Sequence, residues 1–170
     1  MGNRTNPIAM RIGINKNWKS IWYKPKAAYA DTVLEDQKVR ALIEAELKNA
    51  GVADVVIKRS MTKIQVDIRV ARPGVVIGKG GEGIEQLRDK LKGLTGAVVD
   101  VKVFEVKRPE IEAKLVGENI ASQCERRIHP KRAAARAVDS ARDTGMIKGI
   151  MVQVSGRIRG AEIARNETVK

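Results

Sequence analysis

The residues of this chain best placed to do chemistry form the turn Gly78-Lys79-Gly80-Gly81. It lies between the apolar run 75–77 and an amphipathic segment that begins at Ile84. Glycine has no Cβ, so its backbone approaches a ligand closely and adopts positive φ. A helix that follows such a turn offers unpaired N–H groups to an anion, and Lys79 adds a positive charge at the tip. The chemistry is non-covalent: the turn can clamp a phosphate backbone. Two other phosphate motifs fit less well. Gly78, Gly80 and Gly83 satisfy G-x-G-x-x-G, and Asp100 stands about where a ribose-binding acid belongs. However, Arg72-Pro73-Gly74 separates the turn from the preceding strand, and Asp100 falls inside a later strand rather than at its end. A P-loop fails because Gly74 is one residue too close to Gly78, and Gly80 stands where Ser or Thr is required. A bare turn without a ligand is the remaining alternative, and the basic surroundings count against it.

Covalent and metal chemistry find little material. Cys124 and His129 are the chain's single cysteine and single histidine. Zinc needs such ligands in clusters. A nucleophile needs an oriented base, and His129 precedes Pro130 at a helix break, where nothing orients it. Cys124 continues the stripe Val116, Ile120, Cys124 and Ile128, which makes it a small core hydrophobe. No cofactor, metal or catalytic residue is expected, and the chain does not read as an enzyme.

Charge carries the next signal. The 170 residues have a formal net charge of +13 and a pI near 10.1, which favours a polyanionic partner. No apolar run approaches the ~18 residues of a spanning helix, and the first residues lack a signal-peptide core. One cysteine precludes an internal disulfide framework. A cytosolic protein follows as the expectation.

The cations fall into groups. Residues 1–30 read as an irregular basic arm, with Arg4, Arg11, Lys16, Lys19, Lys24 and Lys26 ahead of the first acid, Asp31. Trp18, Trp22, Tyr23 and Tyr29 interleave with them. Such rings can stack on bases; the large area they cover favours anchoring the arm to the domain instead. A second group lies at 126–142, where Arg126, Arg127, Lys131, Arg132, Arg136 and Arg142 face one acid, Asp139. At 100° per residue Arg132 and Arg136 lie opposite the stripe Ala134, Ala137, Val138 and Ala141. Nucleic-acid contact is the expectation from that imbalance. A basic tail carries Arg157, Arg159 and Arg165.

The elements that must position these groups follow from periodicity. Val39, Leu42, Ile43 and Leu47 predict a helix over about 36–50. A strand near 54–59 is followed by one at 63–70, where Ile64, Val66, Ile68 and Val70 alternate with polar residues. Pro73 opens a short helix into the glycine turn. Ile84, Leu87, Leu91 and Leu94 predict an amphipathic helix, and Val99, Val101 and Val103 a third strand. Three strands with helices on one face result. Beyond the linker 106–109, helices over about 110–128 and 131–143 precede a final strand at 148–155. The fold class is α+β, divided into a basic arm (1–30), a first domain (31–106) and a C-terminal α/β domain (107–170).

An Ile-Gly-x-x-Gly core in this order of elements resembles the type II KH domain, an RNA-binding module that favours single strands. The whole chain resembles the bacterial-type S-three family of small-subunit ribosomal proteins. The likeness rests on NPIAMRIGINKNW (6–18), ARPGVVIGKGGE (71–82), KRPEIEAKLVGENIASQCERR (107–127) and VSGRIRGAEIAR (154–165). It implies a structural role in the small-subunit head of the cytoplasmic ribosome. The implied partners are small-subunit ribosomal RNA, neighbouring head proteins and messenger RNA at the entry channel, with no membrane. Lys131, Arg132 and Ala135 match the positions the family uses at that channel. Ala135 departs from a basic residue there, while Arg136 keeps a charge next door; Ala9 replaces a glycine in the opening motif. The family normally continues beyond Lys170 with further strands of the C-terminal sheet, and a lone strand beside two helices is a poor domain: either the sheet is incomplete here or something else covers the edge of that strand. A free-standing KH regulator or RNA chaperone is the alternative function.

Overall fold

The structure, a computed structural model, describes residues 5–170 apart from the side chain of Arg159. Two compact units divide between Glu105 and Val106.

The first unit is built on a sheet in the order β1-β2-β3-β4, comprising Ser20–Ile21, Val52–Arg59, Lys63–Val70 and Val98–Glu105. The central pair β2–β3 is antiparallel, and the flanking pairs β1–β2 and β3–β4 are parallel. Strand alternation sends Ile64, Val66, Ile68 and Val70 to one face. There they meet Val39 and Ile43 of α1 (Lys26–Glu46), Val76 of α2 (Pro73–Ile77), and Leu87 and Leu91 of α3 (Glu82–Thr95). Each fully buried aliphatic side chain contributes about 1.5–3 kcal/mol. Helices on one face of a three-stranded core are the arrangement expected of a type II KH fold. The two-residue β1 is an addition that the periodicity did not show, since two residues are too few to display alternation.

The first helix differs most from expectation. It starts at Lys26, ten residues before the predicted 36, and ends at Glu46. Its inward stripe runs Thr32, Asp36, Val39 and Ile43, so two of the four buried positions are polar. Hydrophobic periodicity is blind to such a stripe. Both polar groups are satisfied: Thr32 Oγ1 donates to the Ala28 carbonyl at 2.8 Å. Asp36 accepts hydrogen bonds from Ser20 Oγ at 2.9 Å, Trp22 Nε1 at 2.8 Å and Arg59 Nε at 2.8 Å. Arg59 also pairs with Glu35 at 2.9 Å. This hub joins the arm, α1 and β2, so the amino-terminal segment is not wholly irregular. Trp22 anchors it as expected, but Trp18 does not and stays exposed.

The opposite face of the sheet is mixed, with Asp67 at its centre and Val98 and Phe104 exposed on β4. Asp67 bonds Lys58 Nζ at 2.8 Å and accepts from Gln65 Nε2 at 2.7 Å. Burial pushes its carboxyl pKa up, but the Gln65 and Lys58 hydrogen bonds and the charges of Lys58 and Lys102 outweigh it. The pKa therefore lies below the ordinary 3.8. A depressed folded-state pKa stabilises fully above the unfolded value and loses that contribution as pH falls through the folded one. Asp67→Asn should therefore flatten the fall in stability below pH 3.8, measured by urea unfolding across a pH series. An unchanged acid limb would exclude the contribution.

The second unit packs α4 (Ala113–Glu125) against α5 (Pro130–Asp143), and α5 against an antiparallel pair, β5 (Val152–Gly156) and β6 (Arg165–Val169). Leu115 and Ile120 of α4 and Ala133, Ala134, Val138 and Ala141 of α5 are buried. The single strand read from the sequence has a partner: β6 covers one edge of β5, pairing from Val152↔Val169 to Gly156↔Arg165. Arg165 thus belongs to a strand rather than to an irregular tail. The segment 165–169 (Arg-Asn-Glu-Thr-Val) has little apolar character, and its pairing, not its hydrophobicity, makes it a strand.

Candidate nucleic-acid interface

The glycine turn connects α2 to α3. The Gly78 N–H donates to the Gly74 carbonyl at 3.0 Å, closing α2. Gly78, Gly80 and Gly81 then take φ of 69°, 66° and 91°, a run that side-chain-bearing residues rarely adopt. A Cβ on Gly80 or Gly81 would point into open space, so these two glycines supply backbone conformation at a free surface. Gly83 serves packing: a Cβ there would lie 2.5 Å from the Val76 carbonyl oxygen, so its absence lets α3 cross close to α2. The G-x-G-x-x-G spacing is thereby explained without a dinucleotide. Asp100, within β4, lies 3.8 Å from Arg88 of α3. Lys79 is exposed at the tip, as needed for a phosphate. Glu82 and Glu85 occupy the first turn of α3. They favour the helix dipole but outnumber the cation, so this turn and the helix start carry no net positive charge of their own.

The stronger field lies on α4 and α5. Lys131, Arg132 and Arg136 are all exposed, Arg132 and Arg136 opposite the buried alanines and Lys131 on their flank. Arg132 and Arg136 stand one turn apart, about 6 Å along the axis. Arg126 caps α4, and Arg127 follows it with φ of 63°. That left-handed conformation costs a side-chain-bearing residue about 1–2 kcal/mol. Arg127 N–H donates to the Cys124 carbonyl at 2.9 Å and Ile128 N–H to the Gln123 carbonyl at 3.0 Å, so the turn closes the end of α4. Glycine would serve that turn without strain; arginine adds a second exposed cation beside Arg126.

The other predicted contacts are scattered. Arg142 is exposed at the end of α5, and its Nη2 donates to the Lys170 carbonyl at 3.0 Å, tying α5 to β6. Arg157 Nε donates to the Ala161 carbonyl at 2.9 Å. Arg11 Nη1 donates to the Pro7 carbonyl at 2.8 Å, and Lys16 lies in the same exposed loop. Arg4 and the side chain of Arg159 lie outside the described residues. Among the described residues, no group of three or more His, Cys, Asp or Glu could hold a metal ion, and no helix is long and apolar enough to cross a membrane.

Sequence reasoning missed Arg40. Its guanidinium bonds the Val55 and Lys19 carbonyls at 2.5 and 2.8 Å and Ser20 Oγ at 2.9 Å. It thereby sets where the basic arm leaves the sheet. No sequence signal marks it, because its partners lie fifteen or more residues away.

Comparisons with known proteins agree with this geometry. A KH-domain family model matches residues 38–111, and the model for the C-terminal domain of ribosomal protein S3 matches residues 120–170. Small ribosomal subunit protein uS3 of Ruegeria sp. (strain TM1040) is 49% identical over 167 residues, covering 98% of this chain and 70% of the relative. The Shewanella loihica protein of that name is 48% identical, covering 98% and 72%. That of Persephonella marina is 46% identical over 168 residues, covering 98% and 74%. With a KH turn in one unit, a cationic helix pair in the other and relatives of this identity along nearly its whole length, the chain belongs to the uS3 family of small ribosomal subunit proteins.

Proposed function

We propose that the chain is a structural constituent of the small-subunit head in the cytoplasmic ribosome. In this reading it binds small-subunit ribosomal RNA and neighbouring head proteins, and α5 lines the path of incoming messenger RNA. Both of the domains read from the sequence, 31–106 and 107–170, take part. The observation that carries the reading is the separation of faces on α5. Lys131, Arg132 and Arg136 are exposed, while Ala133, Ala134, Val138 and Ala141 are buried. Side chains so placed touch phosphates rather than read bases, so their effect is independent of sequence. Gly78, Lys79, Gly80 and Gly81 provide a second, weaker contact with RNA, and Arg126, Arg127, Arg142 and Arg157 extend the basic surface. Arg11, Lys16 and the arm's remaining cations reach ribosomal RNA.

Replacing Lys131, Arg132 and Arg136 by Gln should leave subunit assembly nearly intact, because the packing face is untouched. Translation through a stable messenger hairpin should slow, while unstructured messengers are read at close to the normal rate. In direct binding to single-stranded RNA, the salt-dependence slope should fall by about 2, at roughly 0.7 per phosphate contact. Equal slowing on both kinds of messenger would make these residues general binding groups and exclude the entry-channel role.

A further inference from the structure

A shallow groove of about 710 Å³ runs between the amino-terminal arm and α1. Trp18, Ile21, Trp22, Tyr29, Val33 and Gln37 line it. Both tryptophans of the chain and one of its two tyrosines therefore meet in one place. The back of the groove is rigid. The Trp22 indole is held by Asp36 at 2.8 Å, and its ring centre lies 5.3 Å from that of Tyr29. The front is open: Trp18 is 65% exposed, and Ile21, Tyr29 and Val33 are exposed beside it. A cluster of exposed rings and aliphatic side chains marks a binding surface.

Charge narrows the occupant. The arm, whose residues Trp18 and Ser20 to Trp22 form one side, carries Arg11, Lys16, Lys19 and Lys24 between 11 and 25 and no acid, with Lys19 paired to Asp54 at 3.1 Å. Among the described residues, the one carboxylate lining the groove is Asp36, whose oxygens are taken up by Ser20, Trp22 and Arg59. Flat apolar walls formed in part by an acid-free basic arm suit a ligand with an aromatic face on an anionic chain. The Gln37 side chain, exposed at the rim, offers both a donor and an acceptor to a base edge. We infer that this groove is a base-stacking site for a single-stranded RNA segment, separate from the glycine turn and from α5. The inference rests on the RNA-binding reading above and adds to it a site that recognises bases as well as phosphates.

The test uses the full chain. Trp18 and Trp22 are the only tryptophans, so intrinsic tryptophan fluorescence reports this groove alone. Oligoadenylate should quench it, whereas an abasic ribose-phosphate strand of equal length should bind through charge without quenching. Trp18→Ala should weaken oligoadenylate binding about 5- to 150-fold, the range for losing one base–aromatic stack. Its affinity for the abasic strand should not change, and circular dichroism should show an intact fold because the ring is exposed. Three outcomes would overturn the inference. One is equal affinity of oligoadenylate for wild type and Trp18→Ala. Another is equal quenching by the abasic strand. A third is quenching by a Glu- and Leu-rich peptide where oligoadenylate has no effect, which would assign the groove to a protein partner. Failure of the wild-type chain to bind either strand would overturn the RNA reading itself.

Discussion

Asp36→Ala should cost about 3–5 kcal/mol of unfolding free energy, the penalty for breaking a buried ion pair by removing one partner. Asp36 is 4% exposed, and Arg59 Nη2 lies 2.6 Å from its Oδ1. Without the carboxylate, the Arg59 guanidinium remains largely buried, with Glu35 as its remaining acid partner. Ser20 Oγ and Trp22 Nε1 lose their acceptor in the same substitution. The arm should therefore loosen as the domain weakens. Urea unfolding would measure the first effect, and hydrogen exchange across 18–22 the second. A stability change below about 1 kcal/mol would place the pair among solvated ones and rule out the hub as a determinant of the fold. Asp36→Asn should fall between wild type and Asp36→Ala, since it keeps one acceptor but not the charge.

Gly83→Ala should destabilise the first unit by about 1–3 kcal/mol, the usual cost of overpacking. The direction is the informative part. In an unconstrained helix interior, Gly→Ala stabilises by up to about 1 kcal/mol. The added methyl at position 83 would lie 2.5 Å from the Val76 carbonyl oxygen and 3.1 Å from that of Ile77. Both are backbone atoms, so no side-chain rotation relieves the clash, and α2 and α3 must move apart. A methyl added at Gly93 of the same helix would have nothing within 4 Å, so Gly93→Ala should stabilise and serves as the control. Because Gly78–Gly81 spans the same crossing, Gly83→Ala should also shift the turn and weaken single-stranded RNA binding. Identical thermal shifts for the two variants would show that the close crossing does not constrain the fold.

These two sites show where sequence reasoning was strong and where it stopped. The strand at 63–70 and the helix beginning after the glycine turn were legible because their determinants are local. Alternation in Ile64, Val66, Ile68 and Val70 and the spacing of Ile84, Leu87 and Leu91 encode one buried face each. The glycine turn and the cationic side of α5 were legible for the same reason: glycine at successive positions specifies the backbone, and helix geometry alone separates Arg132 and Arg136 from Ala134, Val138 and Ala141. Four ordered motifs sufficed for the family resemblance.

Tertiary structure decided the rest, wherever a residue's role depends on a partner far along the chain. The start of α1 was missed because its inward side holds Thr32 and Asp36, and burial of Asp36 is tolerable only with Ser20, Trp22 and Arg59 in place. β1 and β6 exist through pairing with β2 and β5, not through their own hydrophobicity. Gly83 could be counted in a motif, but only the approach of the α2 backbone shows that a methyl has no room there. The two tryptophans looked alike in sequence. The fold gives Trp22 an acceptor and leaves Trp18 exposed, because a single buried carboxylate can satisfy only the indole that reaches it.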